Sequence, residues 1–409
     1  VQASNFLFPL AALPLISRSL TVQEFGAYVA ITTYGNYLLL VSDFTYNQSG
    51  PIHANHAIGD ETFSRLFYDS VLLKFGLFLL ACPIYVLVLS GVQGFSLMSV
   101  AIGTLIPAVT TITPRWIMYS IGKTGLFGAF TFPARVGWFG CIWLLYRYHL
   151  DINSILVLTV LAQLAILIPS LRTVARSLDG PYHFSLGRLY QFFRADLGQY
   201  AAILASSVMR ESALGLLSIF GGATEIAVFG LADRIRFAMM GAIAPAIQSV
   251  FLFSRRAGNV ADDESRFKIK ILNVAIIAII SCSAIAVMVL AKPIVHLLGG
   301  GKYDASVPIL IILSILPFFS ALNAICGINT LLAAGHADLF SRAQFLSLIS
   351  TAPVMFGLIY AFQAIGAAIG SVVAEVTLSG FFLLALRQCG LLGALYPTVS
   401  EFRYFLESR

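Results

Sequence analysis

Ten ionisable side chains of this 409-residue chain fall inside long apolar runs: Asp43, Lys74, Arg135, Asp196, Arg210, Glu211, Asp233, Arg234, Arg236 and Glu375. Charges in such runs are costly and usually face a protein interior or a water-filled cavity. At about 100° per residue, Asp43 shares a helix face with Thr32, Asn36 and Asn47, and Asp196, Tyr200, Ser207, Arg210 and Glu211 fall on one arc. Arginine binds phosphate through a planar fork that stays charged. Lys74, Arg135, Arg210, Arg234 and Arg236 are therefore the expected anion-binding set, and a pyrophosphate-linked lipid would fit it. Asp43, Glu211, Asp233 and Glu375 are the expected ion-coupling set, since buried carboxylates beside arginines can titrate. Blander readings stand beside these. Lys74 could snorkel to headgroups, Asp233 and Arg236 could form a structural i,i+3 ion pair, and Asp196 could cap its helix.

Other chemistry finds little footing. The sequence has no His-Glu-x-x-His, no phosphate loop and no Gly-x-Ser-x-Gly, so neither an enzyme nor a metal or cofactor site is expected. Five cysteines at 82, 141, 282, 326 and 389 form no Cys-x-x-Cys motif and read as small packing residues.

The elements that must position these charges are membrane helices. The chain is 58% hydrophobic and 11% charged, with mean hydropathy +0.88; soluble domains carry about 25% charged residues. A span needs about 20 mainly apolar residues, and lipid offers backbone groups no hydrogen-bond partner, so the spans must be helical. The expected fold is all-α, with about twelve transmembrane helices at 1–17, 26–48, 67–90, 96–120, 126–146, 152–171, 196–219, 224–252, 269–291, 307–332, 343–361 and 364–386. Sixteen Lys and Arg fall in one set of loops and the tail, against four in the other. The positive-inside rule makes the first set cytoplasmic, along with both termini. The net charge of +6 points to those loops and not to nucleic acid. The opening in an apolar run without Met leads to an expectation that residues precede Val1.

A weak repeat divides the chain. At a shift of 201, Ser17 meets Ser218 and Glu24 meets Glu225; at a shift of 213, Gly122, Leu126, Phe127 and Phe132 meet Gly335, Leu339, Phe340 and Phe345. Six spans per half return the chain to one side, so the halves are parallel repeats. The expected organisation is an N-terminal lobe at 1–172, a cytoplasmic interlobe linker at 173–195, a C-terminal lobe at 196–386 and a cytoplasmic tail at 387–409. Two lobes around a central cavity suit alternating access.

Residues 9–50 resemble the opening of the bacterial polysaccharide transport family, the Wzx-type O-antigen flippases of the MOP exporter superfamily. Pro14, Arg18, Phe25, Gly26, Asp43 and Phe44 match, while Thr21 and Thr45 stand where Gly is usual. Pro114-Arg115-Trp116 with Gly122 resembles the family's fourth span, and Leu313-Ser314 through Gly335 its tenth. The resemblance implies a flippase of undecaprenyl-pyrophosphate-linked oligosaccharide repeat units, moving them from the cytoplasmic to the periplasmic leaflet of the inner membrane. Its implied partners are the lipid-linked oligosaccharide, the bilayer, and a polysaccharide polymerase with other assembly proteins. A multidrug or cation antiporter of the same superfamily is the alternative, because five acidic residues in spans balance the five basic ones.

Overall fold

The computed structural model describes residues 2–44, 46, 61–91, 96–148, 150–178, 184–258 and 263–395. Side chains at 2–6, 61–62, 91, 195, 199, 202–203, 205–206, 208–211, 242–258 and 263–266 lie outside the described set.

Among the described residues, each expected span falls mainly on helix. The elements are α1 (Gln2–Ser19), α2 (Val22–Asp43), α3 (Glu61–Gly91), α4 (Leu97–Ile112), α5 (Arg115–Ser120), α6 (Thr124–Tyr146), α7 (Ile152–Ala175), α8 (Leu186–Phe220) and α9 (Ala223–Gly258). They continue with α10 (Asp263–Val289), α11 (Ala291–Gly299), α12 (Ser306–Leu313), α13 (Leu316–Asn323), a π-helical segment (Ala324–Leu332) and α14 (Ala337–Gln388). No strand occurs among the described residues. Six helical stretches among them are long and apolar enough to cross a membrane by length and composition: Phe63–Ser90, Leu97–Ser120, Ile152–Ala175, Phe267–Val289, Ser306–Leu332 and Ala337–Gln388. The last is two helices, because Gln363 (φ 50°, ψ −126°) breaks it between the eleventh and twelfth spans.

Two boundaries differ from expectation for local reasons. The helix of span 2 ends at Asp43, where Phe44 turns into the left-handed region (φ 42°, ψ 49°), and the expected continuation at 45 and 47–48 lies outside the described residues. Span 7 starts earlier than 196: α8 begins at Leu186, with the Ser185 hydroxyl accepting from the Arg188 amide as N-cap. Asp196 therefore lies within α8 and does not cap it.

The backbone displays the repeat. The α1–α2 turn runs from Ser19 to Val22 and the α8–α9 turn from Phe220 to Ala223, each boundary 201 residues on. The turns into α6 and α14 correspond at a spacing of 213. Gly122 (φ 71°) and Gly335 (φ 88°) both adopt the left-handed conformation that favours glycine. In the first turn Lys123 N donates to Met118 O (2.9 Å) and Gly122 N to Tyr119 O (3.2 Å); in the second His336 N donates to Leu331 O (3.0 Å) and Gly335 N to Leu332 O (3.2 Å). This is a paired helix-ending motif that satisfies the last carbonyls. Part of the growth from 201 to 213 lies in span 10, which has 27 residues where span 4 has 24. The π-helical segment takes up extra residues by widening the helix.

The chain forms two compact units, Val1–Ala227 and Val228–Arg409. In the first, α2 packs on α3, α4 and α8, α1 on α6, and α7 on α4 and α6. Its densest aromatic core gathers Phe44, Tyr46, Phe63, Phe67, Trp116 and Phe127. In the second, α14 packs on α12, α13 and the π segment, and α10 on α13.

Candidate functional site

The first unit brings two expected site residues together. Asp43 ends α2 and Lys74 lies in α3, and Lys74 Nζ sits 2.5 Å from Asp43 Oδ1. The Lys74 side chain is only 4% exposed, against 30% for Asp43. Lys74 Nζ also lies over the ring of Tyr46, 5.6 Å from its centroid. The lysine thus turns inward to a carboxylate and does not snorkel.

Arg135, in α6, is half-buried, and its Nε has no hydrogen-bond partner. The charged groups acting on it include Arg115, of the same sign. A guanidinium cannot shed its proton to escape such a site, so Arg135 is a cation with unspent donor capacity. Arg210 and Glu211 are placed in α8 by their backbone, and their side chains lie outside the described residues.

In the second unit, Arg236 Nε donates to Asp233 Oδ1 at 2.7 Å, and its guanidinium lies 4.4 Å from the Phe237 ring centroid. The i,i+3 pairing read from sequence is present. Arg234 is half-buried on the same helix. Glu375, in the second limb of α14, accepts from Ser320 Oγ (3.0 Å) and from Asn323 Nδ2 (2.6 Å). Asn323 Oδ1 in turn accepts from Ser379 Oγ (2.8 Å). Ser320 and Asn323 belong to α13, immediately before the π segment. The carboxylate is thus held by neutral donors, whereas Asp43 and Asp233 face cations. Asn329, within the π segment, is 5% exposed with neither amide atom hydrogen-bonded.

Sequence reasoning missed a further ion pair. Arg188 Nε donates to Asp69 Oδ2 (2.5 Å) and Arg188 Nη2 to Asp69 Oδ1 (3.1 Å), a two-pronged contact on a carboxylate that is 4% exposed as a residue. Arg188 counted only as a loop charge, and Asp69 sits near the start of span 3. Nothing in the spacing links positions 119 residues apart. Ser320 and Asn323 escaped because lone polar residues in apolar runs carry no pattern until a carboxylate is seen beside them.

The chain is all-α, with charges held inside its helical units, and its fold matches solved structures of membrane proteins. Over 100% of this chain and 92% of the other, it superposes on "Lipid II flippase MurJ, inward closed conformation" with TM-score 0.76 at 12% identity. Over 96% of this chain and 95% of the other, it superposes on an inward-facing multidrug resistance MATE family transporter of the MOP superfamily, with TM-score 0.71 at 16% identity. The fold is therefore the one these two proteins share. In sequence the chain is similar to the "Putative O-antigen transporter" of Escherichia coli (strain K12), 23% identical over 96% of this chain and 95% of that protein. The protein of the same name from Shigella dysenteriae is 23% identical over 95% and 98%. No family model matches the chain. The resemblance first read from residues 9–50 is borne out along nearly the whole length.

Proposed function

We propose that the chain is a flippase that carries undecaprenyl-pyrophosphate-linked oligosaccharide repeat units from the cytoplasmic to the periplasmic leaflet of the bacterial inner membrane, by alternating access between two lobes. The observation that carries this reading is Arg135, a half-buried guanidinium whose Nε is left without a partner while Lys74 and Arg236 are matched to carboxylates. Phosphate oxygens supply the charge-assisted acceptors such a fork lacks. The similarity to O-antigen transporters supports a lipid-linked oligosaccharide over a multidrug cargo. Lys74, Arg210, Arg234 and Arg236 complete the basic, substrate-binding set in this reading. Asp43, Glu211, Asp233 and Glu375 couple the cycle to an ion, both termini are cytoplasmic, and a polymerase takes over the delivered units.

The test is complementation of a strain lacking its O-antigen flippase, with surface polysaccharide and membrane protein measured together. Arg135→Lys retains part of the export, because it keeps the charge and loses the fork. Arg135→Gln loses export at normal protein level. Full export by the Gln variant would remove Arg135 from the substrate path, and failure of the wild-type chain to restore any polysaccharide would remove the flippase reading.

A further inference from the structure

The amino-terminal half of α8 grips the end of α2 and the first turns of α3 at several points. Arg188 forks onto Asp69. Four residues on, Phe192 stacks on Tyr46 (centroids 5.3 Å, 10°), and Phe193 stacks on Phe44 (5.0 Å, 17°). Tyr200 closes the set: its ring lies 4.7 Å from that of Phe44, and its hydroxyl donates to Val41 O at 2.8 Å. Residues 188, 192 and 200 recur at multiples of four, which places them on one helix face.

What they grip is strained. Phe44 is a bulky residue in the left-handed region, and its side chain is wholly buried. Such a conformation costs about 1–3 kcal/mol and persists only where its surroundings over-determine it. Here the surroundings include Phe193 and Tyr200 on α8, beside Tyr46 and the core residues Phe63, Phe67 and Trp116. The residue before Phe44 is Asp43, the partner of Lys74. The contacts that hold the strain are directional, and Arg188 is 34% exposed along its side chain, so water can take its place. In lipid no hydrophobic force separately ties helix to helix, and a few polar and aromatic contacts can decide whether α8 stays docked.

We propose that residues 186–200 of α8 form a releasable clamp within the first unit: the Arg188–Asp69 fork holds α3 and the Phe193–Phe44 stack holds the end of α2, keeping Asp43 on Lys74, and opening the clamp is an obligatory step of the cycle. This rests on the transport reading above. Opening relieves the strain at Phe44, lets Asp43 withdraw and exposes the Lys74 charge.

Two measurements test it. In a background with the five native cysteines replaced, Asp69→Cys and Arg188→Cys are joined by a short reducible methanethiosulfonate linker. Export falls to the level of the strain lacking the protein and returns on reduction, while single-cysteine controls are unaffected by the reagent. Export that continues through the linked protein overturns the proposal. The second measurement does not depend on cargo. Spin labels at the exposed Tyr68→Cys and Tyr190→Cys positions, in protein reconstituted in polar-lipid nanodiscs, give two distance populations, and Phe44→Gly, which removes strain and stack together, shifts their ratio. A single short distance unaffected by Phe44→Gly also overturns it. If two distances appear but neither wild-type nor variant protein restores polysaccharide, the clamp stands and the cargo assignment falls.

Discussion

Lys74 Nζ lies 2.5 Å from Asp43, yet the two side chains are unequally shielded, 4% exposed for the lysine and 30% for the aspartate. The pair is therefore not symmetrical in its response to mutation. Removing the carboxylate leaves an ammonium stranded among buried groups, which costs about 3 kcal/mol or more. Removing the ammonium leaves a carboxylate that water can reach. Asp43→Asn should destabilise the purified protein more than Lys74→Met, and the double variant should recover most of the loss. Thermal unfolding in detergent checks this; equal losses for the two single variants would count against a pair dominated by desolvation.

At Glu375 the expected outcome concerns coupling. Gln fills the same volume: its amide oxygen can accept from Asn323 Nδ2 while its NH2 donates to Ser320 Oγ, so both contacts persist but lose the charge assistance of the carboxylate. A hydrogen bond to an ionised acceptor contributes about 1.5–3 kcal/mol, so Glu375→Gln should reach the membrane at a reduced but measurable level. Any export that remains should no longer respond to ionophores that collapse the ion gradients. Wild-type sensitivity in the Gln variant would exclude Glu375 from coupling.

Topology follows from the distribution of Lys and Arg. Reporter fusions after residues 176 and 258 should read as cytoplasmic, and one after residue 301, beyond α11, as periplasmic. The reverse pattern would overturn the assignment of both termini.

Asp151 offers a local test with a pH signature. It lies before α7 and accepts from the Ser154 amide (3.2 Å) and hydroxyl. Partial burial pushes its carboxyl up, but the Ser154 hydroxyl and the Ser154 and Asn153 amides outweigh that and hold it below the usual aspartate value. A depressed folded value means the cap stabilises above the unfolded pKa and is lost as pH falls through the folded one. Asp151→Ala should cost about 1 kcal/mol at neutral pH. The gap in unfolding temperature between variant and wild type should close in acid; a gap independent of pH would exclude the ionised cap.

The helices were legible in the sequence because the bilayer leaves the backbone one solution, and length and hydropathy report it directly. The repeat was legible at Gly122 and Gly335 because a left-handed turn restricts the residue type. The end of α2 was not, since Phe44 occupies that same region without being glycine, and its aromatic neighbours, on α8 and in the surrounding core, account for it. Of the site, the residue types could be named in advance and the Asp233–Arg236 pair read off helical spacing. Pairings between distant helices, Asp43 with Lys74 and Asp69 with Arg188, depend on packing that periodicity does not encode.

The matched turns at Gly122 and Gly335 share hydrogen bonds and handedness, although the residues around them differ: Met118 and Lys123 in one, Leu331 and His336 in the other. Such a joint behaves as an interchangeable part. Its geometry is set by one achiral residue and by backbone atoms every residue has, so the flanking side chains are free to diverge. One half thus holds a lysine–aspartate pair and the other a glutamate bound by one amide and one hydroxyl, while the turn geometry is the same in both.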